Sequence, residues 1–217
     1  MVRSRLAVRV LLAAFVALLP APAAATPRAG VSVAGGDVLR SAAGFSCQLG
    51  FNLSGRGILA AGSCGPVGTR WYAGAVPVGV TVMVTQTAAL IYIDNPEVTQ
   101  LAARRVGGGA LAPVTAAARA HVGQAVAYYS ATLGARTGTV TAVNQTIAYA
   151  GGTVSGLDRT TLCASARDPG APVVSDAIGL SIVFDGSSGC PGAAVYAQPI
   201  TPLLAAWGRT LYRPPAP

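Results

Sequence analysis

The chain contains no lysine; all 15 of its cationic side chains are arginine. Histidine occurs once, as His121, and only 10% of the residues are charged. Disordered chains are charge-rich and apolar-poor, so this composition excludes them and favours a packed body of Gly, Ala, Val and Thr. With Arg3, Arg5 and Arg9 set aside, 12 arginines stand against 7 acids and are scattered along the chain. A nucleic-acid binder needs a clustered basic stripe, so nucleic acid is not expected as a partner. After the first 25 residues no apolar run is long enough to cross a bilayer. The sequence offers no cofactor motif and no internal repeat, and no cofactor is expected.

The N-terminal residues 1–25 read as a signal peptide. Arg3, Arg5 and Arg9 make a basic start, Val10 to Leu19 is apolar without an acid, and Ala23, Ala24 and Ala25 supply small residues for cleavage. The mature protein is expected to be exported, as a secreted or envelope-associated monomer without a transmembrane segment. About 190 residues then remain, enough for one large domain or two small barrels sharing an interface. In an exported chain the four cysteines, Cys47, Cys64, Cys163 and Cys190, read as two disulfides with three possible pairings. Metal ligation is the poorer reading, because the spacings are long and His121 is distant from every cysteine. Local pairing would give two short staples, each contributing roughly 3 kcal/mol by constraining the unfolded chain.

Short β-branched runs broken by glycine follow one another closely. Val31 to Val33, Val76 to Val84, Leu90 to Ile93, Gln124 to Tyr129, Thr137 to Val143, Val173 to Val174 and Ile178 to Phe184 are the clearest. Such spacing predicts an all-β sandwich or barrel. Between two strand groups, Leu101 to Arg119 is rich in Gly and Ala and reads as a connector. Near the end, Leu203, Leu204 and Trp207 have the spacing of a short amphipathic helix. The expected layout is a first barrel over 31–105, a connector over 106–120, a second barrel over 121–200, a helix over 201–212 and a tail over 213–217.

Cys47-Gln-Leu-Gly-Phe-Asn-Leu53, followed by Leu59-Ala-Ala-Gly-Ser-Cys64, resembles the first barrel of the streptogrisin-like secreted proteases of actinobacteria, which are chymotrypsin-like serine proteases. The likeness extends through Val33-Ala-Gly-Gly-Asp37, Asp94-Asn-Pro96, Val122-Gly-Gln-Ala-Val126, Arg136-Thr-Gly-Thr-Val140, Cys163-Ala-Ser-Ala-Arg-Asp-Pro-Gly-Ala-Pro172 and Gln198-Pro-Ile200. The order and spacing of these segments carry it, rather than any one of them. The resemblance implies two six-stranded antiparallel β-barrels packed face to face, a short C-terminal helix, and the disulfides Cys47–Cys64 and Cys163–Cys190.

That family cuts peptides with a serine nucleophile, a histidine base and a buried aspartate that orients the histidine. The matching positions hold other residues. Ser63 stands before the second cysteine of the first staple, where the family has the histidine. A hydroxyl is too weak a base at neutral pH to deprotonate another hydroxyl. Counting back from Asn95-Pro96 puts Thr87 at the aspartate position, and the family's Gly-Asp-Ser-Gly-Gly reads Arg167-Asp-Pro-Gly-Ala171, with Pro169 at the nucleophile. Two backbone N–H groups should form the oxyanion hole. Pro169 has none, and Arg167 replaces the glycine that supplies the other. Ile182, Val183 and Phe184 occupy the former specificity pocket, where Val183 and Phe184 are expected to fill it. The resemblance implies that Asp168 pairs with Arg136, matching an Asp–Arg pair of the bacterial relatives, and holds the former active-site loop, with Asp37 the weaker candidate partner. His121 is expected at a strand edge, away from the cleft.

These substitutions imply a proteolytically inactive homologue kept as a binding or structural body, whose ligand (a peptide, a protein or an envelope component) the sequence does not name. Strand addition to the cleft edge would hold a peptide without cutting it. The alternatives are a residually active hydrolase of peptides or esters with a reorganised site, and a purely structural envelope protein.

Overall fold

Residues 30–149, 151–166, 168–186 and 194–215 are described by the computed structural model. The chain is almost wholly β. In order it forms β1 (Val31–Gly35), β2 (Val38–Ser41), β3 (Ser46–Gln48), β4 (Phe51–Leu53), β5 (Gly57–Ala61), β6 (Arg70–Ala73), β7 (Val76–Val84), β8 (Ala88–Tyr92), β9 (Val98–Gly107) and β10 (Ala110–Pro113). The second half contributes β11 (Ala116–Ala117), β12 (Ala125–Ser130), β13 (Gly134–Tyr149), β14 (Gly152–Thr160), β15 (Pro172–Ser175), β16 (Ile178–Gly186), β17 (Val195–Pro199) and the helix α1 (Ile200–Ala206).

The first sheet runs β3-β2-β6-β7-β8-β5-β4. Its two end strands are halves of a single run, broken at Leu49 and Gly50. Across that break Leu49 donates its N–H to Asp37 O at 2.8 Å, and Gly50 donates to Leu59 O at 2.8 Å. One half therefore bonds to β2 and the other to β5, which closes the sheet into a barrel and leaves no free edge. Gly50 is required at the break: a Cβ there would lie 2.8 Å from Leu59 O and 2.7 Å from Ile182 Cγ2. In the second half β15, β12, β13, β14 and β17 follow in order, and β16 pairs with both β15 and β17. That is a closed six-stranded barrel. The hairpin β9–β10 packs outside the first barrel, with β1 parallel to β9, and β11 then joins β16.

Three apolar clusters hold this arrangement. Trp71, Leu39, Ile58 and Ile91 fill the first barrel. Tyr128, Leu162, Leu180 and Val183 fill the second. Between them Phe51, Leu59 and Leu90 from the first half meet Val174, Ile182, Ile200 and Leu204 from the second, so the barrels share a core. The helix is shorter than the expected 201–212. Gly208 adopts a left-handed φ of 60° just past its end, and the chain then returns to the first barrel through a Leu53–Leu211 bridge. Rather than fraying at once, the tail begins anchored: Arg213 Nη2 donates to Thr115 O at 3.0 Å. Among the described residues no helix is long and apolar enough to cross a membrane.

Candidate functional site

Ser63 lies on a single 3-10 turn, Gly62–Cys64, pinned to the first barrel by the Cys47–Cys64 disulfide. Gly62 is needed because a Cβ there would fall 2.3 Å from Thr85 O. The turn between β7 and β8 thus sits directly against the serine. In that turn Thr85 donates its N–H to Ala88 O at 2.7 Å, while its Oγ1 accepts the Ala88 N–H at 3.0 Å. Thr87 is buried within this turn.

Pro169 projects from the opposite barrel, in the turn between Asp168 and Ala171. The backbone donors of this turn are used internally: Gly170 N–H goes to Val183 O and Ala171 N–H to Asp168 O, both at 2.8 Å. Gly170 has a φ of +93°, and a Cβ on it would meet Gln48 O at 2.4 Å. The turn is therefore pressed backbone to backbone against the first barrel.

A cavity of about 410 Å³ lies between these two turns, lined by Gly62, Ser63, Thr85, Gln86, Tyr149, Pro169 and Phe184. Two of the positions singled out in the sequence, Ser63 and Pro169, are brought together here, and Phe184 joins them. Tyr149 and Phe184 meet edge to face at 5.4 Å, an arrangement aromatic rings favour. Gln86 spans the gap by donating Nε2 to Gly151 O at 3.3 Å. No imidazole lines the cavity. His121 is exposed in the loop before β12, its ring nitrogen 3.2 Å from Val122 O.

Three expectations need correction. Val183 does not fill the cleft; it is fully buried in the core of the second barrel, and Ile182 in the core between barrels. The two residues alternate across β16, and each face of the strand is covered by one of these cores. The Arg136–Asp168 ion pair is not formed. Asp168 is completely buried, but its carboxylate accepts from neutral donors: Ser130 Oγ at 2.7 Å, Ser165 N at 2.7 Å, and Tyr128 Oη at 3.0 Å, whose single proton is shared with Cys163 O at 2.5 Å. Arg136 lies across the ladder from Tyr128 and donates to Leu133 O. Burial, followed by the nearby Asp168 charge, pushes the Tyr128 phenol well above its ordinary value, so it stays a donor. The ion pairs among the described residues are Arg105–Asp37 at 2.6 Å and Arg70–Asp94 at 2.9 Å. Asp37 thus serves Arg105 instead of Arg136. Arg167 and Cys190 lie outside the described residues, as does the signal peptide expected over residues 1–25; Cys163 is disulfide-bonded.

Sequence reading missed Gln86, Tyr149 and the donors Tyr128 and Ser130. The alternation in Ala125–Ser130 does place Tyr128 and Ser130 on one inward face, and that was the available signal.

No family model matches the chain. It is 34% identical to glutamyl endopeptidase 2 of Streptomyces griseus over 180 residues, 78% of this chain and 94% of that protein. It is 33% identical to streptogrisin-A of the same organism over 184 residues, 82% of this chain but only 61% of that protein. Among solved structures, the alpha-lytic protease homologue N4 shares 39% identity with a TM-score of 0.75, covering 84% of this chain and 100% of that one. The chymotrypsin of Cellulomonas bogoriensis shares 29% identity with a TM-score of 0.77, covering 84% of this chain and 99% of that one.

Proposed function

This chain belongs to the streptogrisin-like family of chymotrypsin-type serine proteases, and we propose that it is an exported member that binds in its cleft and does not cut. The observation that carries this reading is the lining of the cavity between the barrels. That cavity is lined by Ser63 and Pro169, the residues that the resemblance sets at the base and nucleophile positions. Pro169 has no N–H to offer a developing oxyanion. A disulfide in the first barrel fits an oxidising, extracellular compartment.

As a binding site, the cavity is open, partly aromatic and rimmed by the Gln86 amide. Its ligand class is an extended peptide that places an apolar side chain against Tyr149 and Phe184, with its backbone added to a strand edge. A fluorophosphonate probe together with a peptide library tests both halves. Absence of labelling and of cleavage, with saturable binding of apolar peptides that is weakened in Phe184→Ala, is the expected result. Covalent labelling of Ser63, an exposed hydroxyl of the cavity, would instead establish the second reading, a reorganised hydrolase.

A further inference from the structure

A second cavity, of about 300 Å³, opens in the wall of the second barrel beside the start of α1. It shares no lining residue with the cleft. Its wall forms where β13 and β14 lose register between Ala142 and Gln145. There Asn144 and Gly156 both turn into the left-handed region, at φ 55° and 83°.

Asp158 lines this cavity and is only 3% exposed. One side of its carboxyl takes a hydrogen bond from Ser181. Oδ2 finds no donor among the described residues, although a buried carboxylate oxygen normally has one. Arg119 lines the same cavity from the loop ahead of β12, is exposed, and acts on Asp158 electrostatically without touching it as an ion pair. One wall thus carries a buried acid short of a donor, and the mouth carries an arginine with no carboxylate partner among the described residues. Ser155 and Gln198 add neutral polar groups.

We infer that this cavity binds a small zwitterion, its ammonium group held by Asp158 and its carboxylate by Arg119. A simple amine would meet the Arg119 charge and a simple acid would meet Asp158, so a ligand bearing both charges is selected over either. Oδ2 is closed off from solvent, so a turn of the Asp158 carboxyl brings it to the ammonium, which supplies the donor it lacks, and Arg119 offers a planar fork suited to a carboxylate. Burial holds the Asp158 carboxyl up at about 6, opposed by Ser181 and Arg119. Binding to its ionised form therefore strengthens as pH rises through that value and releases a proton on the acid side of it. The groups facing Asp158 from the neighbouring elements are Arg119 from the loop, Ser181 from β16 and the backbone of Ala197 on β17. His121 is near in sequence but does not line the cavity.

Calorimetric titration of the oxidised protein with glycine, β-alanine and γ-aminobutyrate, whose charges are progressively further apart, tests the inference. Ethylamine and propionate serve as single-charge controls. At least one zwitterion is expected to bind about tenfold or more tightly than either control, and Asp158→Asn and Arg119→Ala are each expected to weaken it by a similar factor. Arg119 is exposed, so its variant folds even if Asp158→Asn does not. His121→Gln is expected to leave the pH profile unchanged. The inference fails if no zwitterion outbinds the controls at millimolar concentration, if both cavity variants bind like the parent, or if the pH dependence vanishes in His121→Gln.

Discussion

Replacing Asp168 by Asn tests whether neutral donors, and not Arg136, hold the turn that carries Pro169. The carboxylate accepts three hydrogen bonds at complete burial, two on Oδ2 and one on Oδ1. An asparagine of equal size keeps its oxygen toward Tyr128 and Ser165, and turns its NH₂ toward Ser130 Oγ. That hydroxyl already accepts from Leu133 N at 2.9 Å and Thr132 N at 3.2 Å, so it has little capacity for a further donor. Two bonds lose their charge assistance, at about 1 kcal/mol each, and one buried donor is left facing another at about 1–3 kcal/mol. The variant should lose about 3–5 kcal/mol, a large share of a typical domain's stability. A melting temperature roughly 10 °C lower follows for a chain of this size. Urea unfolding of the oxidised protein, followed by tryptophan fluorescence and circular dichroism, measures it. Arg136→Met, measured alongside, should cost much less, since the guanidinium bonds only to Leu133 O among the described residues. If Arg136→Met proves as damaging as Asp168→Asn, or if Asp168→Asn costs under about 1 kcal/mol, the neutral-donor account is wrong.

Other outcomes follow from the same geometry. Asp158 titrates near 6 in the fold and near 3.9 when unfolded, so the folded state binds the proton more tightly. Stability contributed by this group should be highest below pH 4, fall between about 4 and 6, and level off above. The total loss is roughly 1–3 kcal/mol, and Asp158→Asn should flatten that window in pH-dependent denaturation. Removing the Cys47–Cys64 staple, which spans 17 residues, by a double change to alanine should cost about 3 kcal/mol. It should also loosen the Ser63 turn, read as faster amide exchange at Gly62–Cys64. Gln86→Ala breaks an exposed bond across the cleft and should leave stability within about 0.5 kcal/mol while changing peptide affinity.

The barrels were legible in the sequence because closely spaced β-branched runs, glycine breaks and an even cysteine count are local signals. Ser63 and Pro169, singled out from their motifs, line one cavity. What escaped depends on which way a side chain turns. Ile182 and Val183 both became core residues because they point to opposite faces of β16 and both faces are covered, one by the inter-barrel core and one by the barrel interior, a layering that composition does not record. Asp168 was given an arginine partner by the family resemblance, since both residues stand at the matching positions. A tyrosine and a serine brought beside it by folding are not. Asp158 was overlooked for the converse reason: an acid in a β-strand reads as solvent-facing until the neighbouring strands are placed around it.

The reciprocal contact of Gly50 and Gly170 sets how the cleft can behave. A Cβ on Gly50 would come within 2.9 Å of Gly170 O, and one on Gly170 within 2.4 Å of Gln48 O, so the two barrels abut there through bare main chain. Contact between backbones has no rotamers to adjust, unlike contact between side chains. The opening beside it therefore acts as a gauge of set width. A peptide in the proposed site would be sorted by thickness at this end, since the main chains there have no rotamer with which to give way.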